Sequence, residues 1–308
     1  LLTADDTVGF ISQLLTAENK ELFWKNKELD FSYQATAGVR FRGNAFFQRG
    51  VVGAAFRLIP SKIKTLAELG LPERLTDFAR HEQGFFLVVG PVGQGKSTTL
   101  ASLIQMINQE RAEHIVTIED PVEYLFLNDR SIIDQREVRF DTHDFAHALK
   151  SAFRQDVNVI MVGEMRSPET MGIAVTAAET GHLVFSTLHT NSASQTIDRI
   201  IDSFPANQQP QIRAQLASSL LGIFSQRLLP KISSGLVPAY ELLVNNSAVA
   251  NLVREGRTAE LDVVIETGTE SGMVTLNHSL AELVRGNEIS HEVAYRYSIN
   301  PRGLDQLL

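Results

Sequence analysis

Residues 84–98 read Gly84-Phe-Phe-Leu-Val-Val-Gly-Pro-Val-Gly-Gln-Gly-Lys-Ser-Thr98, and this stretch decides the fold. The apolar run Phe85–Val89 predicts a strand buried on both faces, as in a parallel sheet. Gly90, then Pro91, Val92, Gly93 and Gln94, then Gly95-Lys96-Ser97 fit the pattern G-x-x-x-x-G-K-[ST]. Behind the loop Leu100, Leu103, Ile104 and Ile107 recur at helical spacing, which starts a helix near Lys96. Glycines let backbone N–H groups converge on phosphate oxygens, and the helix N-terminus adds partial positive charge there. Gly90 to Thr98 is therefore the expected cradle for ATP. Lys96 would reach the β- and γ-phosphates, and the Ser97 hydroxyl would ligate Mg²⁺. A tight turn before an ordinary helix is the bland alternative; the agreement of pattern and context argues against it.

Downstream, strand-like and helix-like segments alternate, the pattern of a mostly parallel sheet covered by helices. The expected strands are His114–Glu119, Ser131–Gln135, Val157–Val162 and Leu183–Thr187. Asp141 is the expected cap of a helix carrying Phe145, Leu149, Ala152 and Phe153. Ser167-Pro168 opens a second helix that Gly181 closes, and Ile197, Ile200, Ile201 and Phe204 mark a third. Glu119/Asp120, Glu164 and His189 then stand at the carboxyl ends of three strands, the edge where open α/β sheets bind ligands. Any one of them could be a structural cap; three converging on one loop is harder to explain that way. Gln208–Leu229 reads as a long helix entering a strand, with Leu236–Val244 as its hairpin partner. Residues 246–308 read as a helical tail, with helices at Ala248–Gly256, Leu261–Thr267, Leu276–Gly286 and Glu292–Tyr297.

Upstream, residues 3–28 predict a helix whose apolar face holds Val8, Ile11, Leu14 and Leu15. Leu29–Ala35, Val39–Gln48 and Val51–Ile59 read as strands of antiparallel hairpins, broken at Ala37-Gly38 and Arg49-Gly50. In the middle strand Val39, Phe41, Ala45 and Phe47 share one face, and Arg40, Arg42, Asn44 and Gln48 the other. Arg40 and Arg42 are a candidate anion clamp that Arg49 and Arg57 extend. A solvated polar face explains the same pattern equally well. The pattern weakens from Pro60 to Pro72, which divides the chain into 1–60, a linker at 61–72 and 73–308. A short helix from Glu73 to Arg80 leads into the first strand of the larger part.

The 308 residues are 44% hydrophobic and 21% charged, the balance of a globular protein. No apolar run approaches the ~20 residues of a membrane helix. The absence of cysteine excludes disulfides and cysteine-based zinc sites. A net charge of −8 argues against nucleic acid as the main partner. Opening on Leu1, the chain reads as a fragment, and a targeting signal upstream stays open.

Five stretches carry a resemblance: Arg40-Phe-Arg-Gly-Asn-Ala-Phe46, Gly90–Ser97, Thr117-Ile-Glu-Asp-Pro-Val-Glu123, Val162-Gly-Glu-Met-Arg166 and Gly181-His-Leu-Val-Phe-Ser-Thr-Leu-His189. Over nearly the whole chain the sequence resembles the type II/IV secretion-superfamily ATPases, and within them the pilus-retraction branch. The resemblance implies an α/β fold: a RecA-like P-loop ATPase core behind a smaller PAS-like α+β domain lacking its first elements, with a helical tail. It implies a homohexameric, cytoplasmic motor at the inner face of the membrane, retracting type IV pili by Mg²⁺-dependent ATP hydrolysis. Its implied partners are an inner-membrane pilus platform protein and other pilus ATPases, with no nucleic acid and membrane contact only through partners.

The resemblance also implies roles for residues. Glu164 positions or deprotonates water, and Arg40, Arg42 and Arg57 close over the γ-phosphate. His182 and His189 sense that phosphate, and Glu119 or Glu123 joins Ser97 in holding Mg²⁺. A histidine in His182's place, just after a helix-ending glycine, is as well explained as a cap. Two positions depart from the pattern. Gly163 stands where many P-loop enzymes put a metal-holding aspartate, and Ala250 replaces the first arginine of the tail segment Ala248-Val-Ala-Asn-Leu-Val-Arg-Glu255. Rival readings are a pilus-assembly or secretion ATPase, a RecA-like DNA motor, and a paralogue that does not hydrolyse. The first commonly carries a tetracysteine site, absent here. The acidic charge argues against the second, and the presence of Lys96, Ser97, Glu164 and both histidines against the third.

Overall fold

Residues 2–35, 39–59 and 62–308 are described by the computed structural model. Its chain divides into two units, Leu1–Ile63 with Pro121–Leu125, and Lys64–Asp120 with Phe126–Leu308.

In the first unit the expected single helix is two, α1 (Ala4–Leu14) and α2 (Ala17–Asn26). Leu15 is extended and buried, and the Thr16 hydroxyl accepts the Asn19 N–H to cap α2, so the side chain offers the backbone a start in place of a continuation. Strands β1 (Glu28–Gln34), β2 (Arg40–Gln48) and β3 (Val51–Ile59) form an antiparallel sheet in sequence order. Arg49 and Gly50, both at positive φ, make the two-residue turn that the twist of a hairpin favours. The Ala37-Gly38 break and Pro60 lie outside the described residues. Ile11, Leu15, Phe23, Phe31, Ala45 and Val52 form this unit's core.

The second unit is built on a seven-stranded sheet. Its elements are α3 (Leu75–Ala79), β4 (Gly84–Val89), α4 (Lys96–Glu110), β5 (His114–Glu119), β6 (Ile132–Glu137), α5 (Phe145–Ala152), β7 (Val159–Val162), α6 (Pro168–Glu179), β8 (Leu183–Leu188), α7 (Ala193–Asp202), α8 (Gln209–Ser219), β9 (Leu220–Pro230) and β10 (Leu236–Val244). A tail of α9 (Ser247–Glu255), α10 (Leu261–Thr267), α11 (Leu276–Arg285), α12 (His291–Tyr297) and α13 (Pro301–Asp305) follows. The strand order is β10-β9-β4-β8-β7-β5-β6, parallel throughout except for the antiparallel β9–β10 hairpin. This is an α/β fold with a helical C-terminal region.

Alternation along β4 explains the layers. Phe85, Leu87 and Val89 enter one apolar layer with α5 to α8, whereas Phe86 and Val88 enter the other with Leu100, Leu103, Ile104 and Ile107 of α4. All six residues of β4 are buried, as a strand covered on both faces requires. Two expectations need correction. Asp144, not Asp141, caps α5, because its side chain accepts the His147 N–H while Asp141 is engaged by the Glu137 N–H. As expected, the helix that starts near Gln208 runs into a strand: α8 ends at Ser219, and apolar residues paired with β4 carry the chain into β9 without a loop. The tail holds one helix more than its periodicity predicted, α13, opened by Asn300 and Pro301.

Candidate functional site

The loop from Gly90 to Gly95 leaves the carboxyl end of β4 and enters α4, with Gly90, Gly93 and Gly95 all at positive φ. Gly90 admits no side chain for a second reason: a Cβ there would lie 2.4 Å from the Gln226 carbonyl oxygen. Pro91, Val92, Gly93 and Gln94 form the turn, and Ser97 and Thr98 stand in the first turn of α4. Lys96 is 7% exposed, and its Nζ donates to the carbonyls of Gly90 (2.8 Å) and Pro91 (2.9 Å).

The same Nζ lies 3.1 Å from His189 Nδ1. An ammonium only donates, so Nδ1 accepts and the ring proton sits on Nε2. Nε2 lies 3.2 Å from Glu164 Oε1, and Arg166 Nη2 donates to the other carboxylate oxygen at 2.8 Å. Burial pushes the Glu164 carboxyl up, but the Arg166 bond and charge, with His189 and Lys96 adding, outweigh it and hold the pKa below the ordinary value. Lys96, His189 and Glu164 thus form one line across the ends of β4, β8 and β7, which neighbour one another in the sheet.

On the next strand Glu119 is buried at the end of β5, its Oε1 accepting from Thr117 Oγ1 (2.8 Å) and Gln135 Nε2 (3.2 Å). A Cβ on Gly163 would stand 3.2 Å from the Ile118 carbonyl oxygen and 3.4 Å from Glu119 Cα. Close approach of β5 and the end of β7 therefore leaves little room for an aspartate there. Asp120 pairs loosely with Arg139 at 3.6 Å. Glu123 falls in Pro121–Leu125, grouped with the first unit.

His182 is not brought to this line. It precedes β8 while His189 follows it, which puts roughly 20 Å of strand between them. Its Nδ1 lies 3.1 Å from the Ala177 carbonyl at the end of α6, and its ring meets Phe153 edge-on. Within one chain that is a structural position. Arg40, Arg42 and Arg57 lie in the first unit on one sheet face: Arg42 pairs across the ladder with Arg57, and Arg40 is two residues along β2.

Several polar contacts at the loop were missed by sequence reasoning. Gln226 of β9 accepts from Thr99 Oγ1 (2.6 Å) and donates to the Gln94 carbonyl (2.7 Å). Arg227 and Ser225 donate to Asn191, two residues past His189. Glu241 of β10 accepts the Ala193 N–H at the start of α7 at 2.8 Å. The available signal was a run of polar residues, Ser225-Gln226-Arg227, inside a strand otherwise apolar enough to be buried.

A parallel sheet with such a glycine loop and lysine at its carboxyl edge is the construction of the P-loop nucleotide-binding proteins. Within that class the chain belongs to the Type II/IV secretion system protein family, which matches residues 38–296. It is 43% identical over 304 residues to a twitching motility protein of Neisseria gonorrhoeae, covering 98% of this chain and 81% of the relative. It is 45% identical to the type IV pilus retraction ATPase PilT of Pseudomonas aeruginosa, over 93% of this chain and 83% of that protein. Its fold matches the crystal structure of the pilus retraction motor PilT with bound ADP at a TM-score of 0.92 and 46% identity, covering 98% of this chain and 86% of the other. Among the described residues no helix is long and apolar enough to cross a membrane.

Proposed function

We infer that this protein is a motor ATPase that hydrolyses ATP with Mg²⁺ to power type IV pilus retraction. The observation that carries the reading is the Lys96–His189–Glu164 line beside the glycine loop. Relatives named for twitching motility and pilus retraction support the biological half.

In this reading Gly90 to Thr98 cradle the phosphates through backbone N–H groups, and Lys96 exchanges its carbonyl partners for phosphate oxygens. Glu164, ionised and held by His189 and Arg166, aligns the attacking water. His189 carries the state of Lys96 to Glu164, because its Nδ1 faces one and its Nε2 the other. Arg40, Arg42 and Arg57 supply positive charge to the γ-phosphate, in cis or from a neighbouring copy. The donors available to Mg²⁺ are hydroxyl and carboxylate oxygens, Ser97 with Glu119 or Glu123. That hard set suits a cation held by one or two side chains and the phosphates, and among the described residues no cluster of three or more acidic, histidine or cysteine side chains makes an all-protein cage. The metal, when bound, would neutralise charge developing on the β- and γ-oxygens.

The same reading makes 1–60 a PAS-like domain joined by 61–72 to an ATPase domain at 73–308. The working form would be a cytoplasmic homohexamer, acting through an inner-membrane pilus platform protein and alongside other pilus ATPases. Two substitutions test the chemistry by titration calorimetry and ATPase assay. Lys96→Ala is expected to lose ATP binding, and Glu164→Gln to bind ATP without turnover. Equal loss of affinity in both would sink the role assignment. Loss of twitching on deletion of the gene, restored by the wild-type copy, tests the motor's task.

A further inference from the structure

We propose that three consecutive residues of β9 position the nucleotide site from both faces of the sheet, Gln226 holding the phosphate loop and Arg227 the loop after His189. The proposal rests on the nucleotide reading above. Gln226 touches the phosphate loop at three places. Its main-chain oxygen occupies the space a side chain on Gly90 would need. Its Nε2 donates to the carbonyl of Gln94 at 2.7 Å, and its Oε1 accepts from Thr99 Oγ1 at 2.6 Å. The loop answers in kind, since Gln94 Oε1 accepts the Leu228 N–H at 2.7 Å. Start, middle and helical exit of the loop are thus tied to one strand.

The neighbouring side chains leave β9 on its other face. Arg227 Nη2 donates to the main-chain oxygen and to Oδ1 of Asn191, both at 3.3 Å, and Ser225 Oγ donates to the same main-chain oxygen at 3.0 Å. Asn191 is joined through Thr190 to His189, the link between Lys96 and Glu164. Gln226 and Arg227 are both buried. Burying polar groups is costly unless they are bonded, and a leucine would fill such a strand more cheaply. Both polar atoms of the Gln226 amide are used, whereas Arg227 Nη1 is buried with no hydrogen-bond partner among the described residues. The strand carries this cost where the two loops meet it.

The two side chains predict opposite kinetic signatures in the full chain, read by titration of a fluorescent ATP analogue and by steady-state ATPase rates. Gln226→Leu is expected to weaken nucleotide binding tenfold or more, and to lower kcat by a smaller factor than it raises Kd. Thr99→Val is expected to move in the same direction, with the double variant no weaker than the weaker single. Arg227→Met is expected to lower kcat tenfold or more while changing Kd by a smaller factor, and Arg227→Lys to recover part of the rate. If Gln226→Leu and Thr99→Val both leave Kd within threefold, or if the Gln226 and Arg227 variants share one split, the proposal is overturned. Should Gln226→Leu not fold, Thr99→Val decides the first half, because it removes one hydroxyl from the same link. A wild-type chain that binds no nucleotide overturns the underlying reading and this proposal together. Normal wild-type binding with unmoved variants overturns this proposal alone.

Discussion

At the scale of single residues the site's character comes from which groups can only donate. Lys96 has no acceptor, so its contact with His189 leaves that ring one proton arrangement, with Nε2–H aimed at Glu164. Replacing His189 with alanine is expected to leave ADP affinity within a few-fold of wild type and to lower kcat by about tenfold or more, separated by calorimetry and steady-state assay. The arginine face makes a different demand. Arg42 and Arg57 stand opposite each other on β2 and β3, and like charges so placed are destabilising. Arg42→Ala is therefore expected to keep or slightly raise the stability of the fold. If the face serves the γ-phosphate, the same change is expected to lower kcat by about 10³-fold or more. A kcat within tenfold of wild type, with stability unchanged, leaves the face a solvated one.

At the scale of elements, close approach and burial set the limits. Placing an aspartate at Gly163, where other P-loop enzymes have one, puts a Cβ 3.2 Å from the Ile118 carbonyl. Gly163→Asp is expected to lower the melting temperature and to yield no gain in ATPase rate, because β5 and the end of β7 would have to part. The β10 strand brings a second consequence. Burial pushes the Glu241 carboxyl from 4.5 up to about 7; Asp262 adds to the rise, and the Ala193 N–H and Arg227 oppose it. A folded-state value above the unfolded one means that stability is fully present below the unfolded pKa and is lost as pH rises through about 7. The loss is of the order of 3 kcal/mol. Glu241→Gln keeps an acceptor for Ala193 and cannot ionise. It is expected to match wild type near about pH 5 and to exceed it above about pH 7, by urea unfolding at each pH.

At the scale of the whole molecule the tail is where hydrolysis would meet work. The hairpin of β9 and β10 packs Leu229, Val237 and Ala239 against Leu276, Leu280 and Ala281 of α11, and α9 sets Val249 and Val253 into the main core. Arg254 of α9 is exposed and donates locally, to Asn251 Oδ1 at 2.7 Å, while Leu252 and Ala250 lie partly buried on the core. Leu252→Ala combined with Arg254→Ala is expected to keep ATPase activity near wild type and to abolish twitching in cells. If both fall together, the tail belongs to the ATPase fold; if twitching persists, this segment is not the output lever.

The local chemistry was legible in the sequence. The glycine spacing with Lys96, the apolar run of β4, and the alternating arginines of β2 each follow from one residue type at one short period, and the chain itself carries such periods. Caps with a single candidate, such as Ser167 with Pro168, were equally readable. Tertiary structure decided what depends on partners distant in the chain. His182 and His189 belong to one box, yet a strand between them sends one to the phosphate edge and the other to the far end. Gln226 is 132 residues from Gln94, and Arg227 is 36 from Asn191. No local period records such pairings, because what joins them is the order of strands in the sheet, and that order is chosen by burial of the whole chain at once.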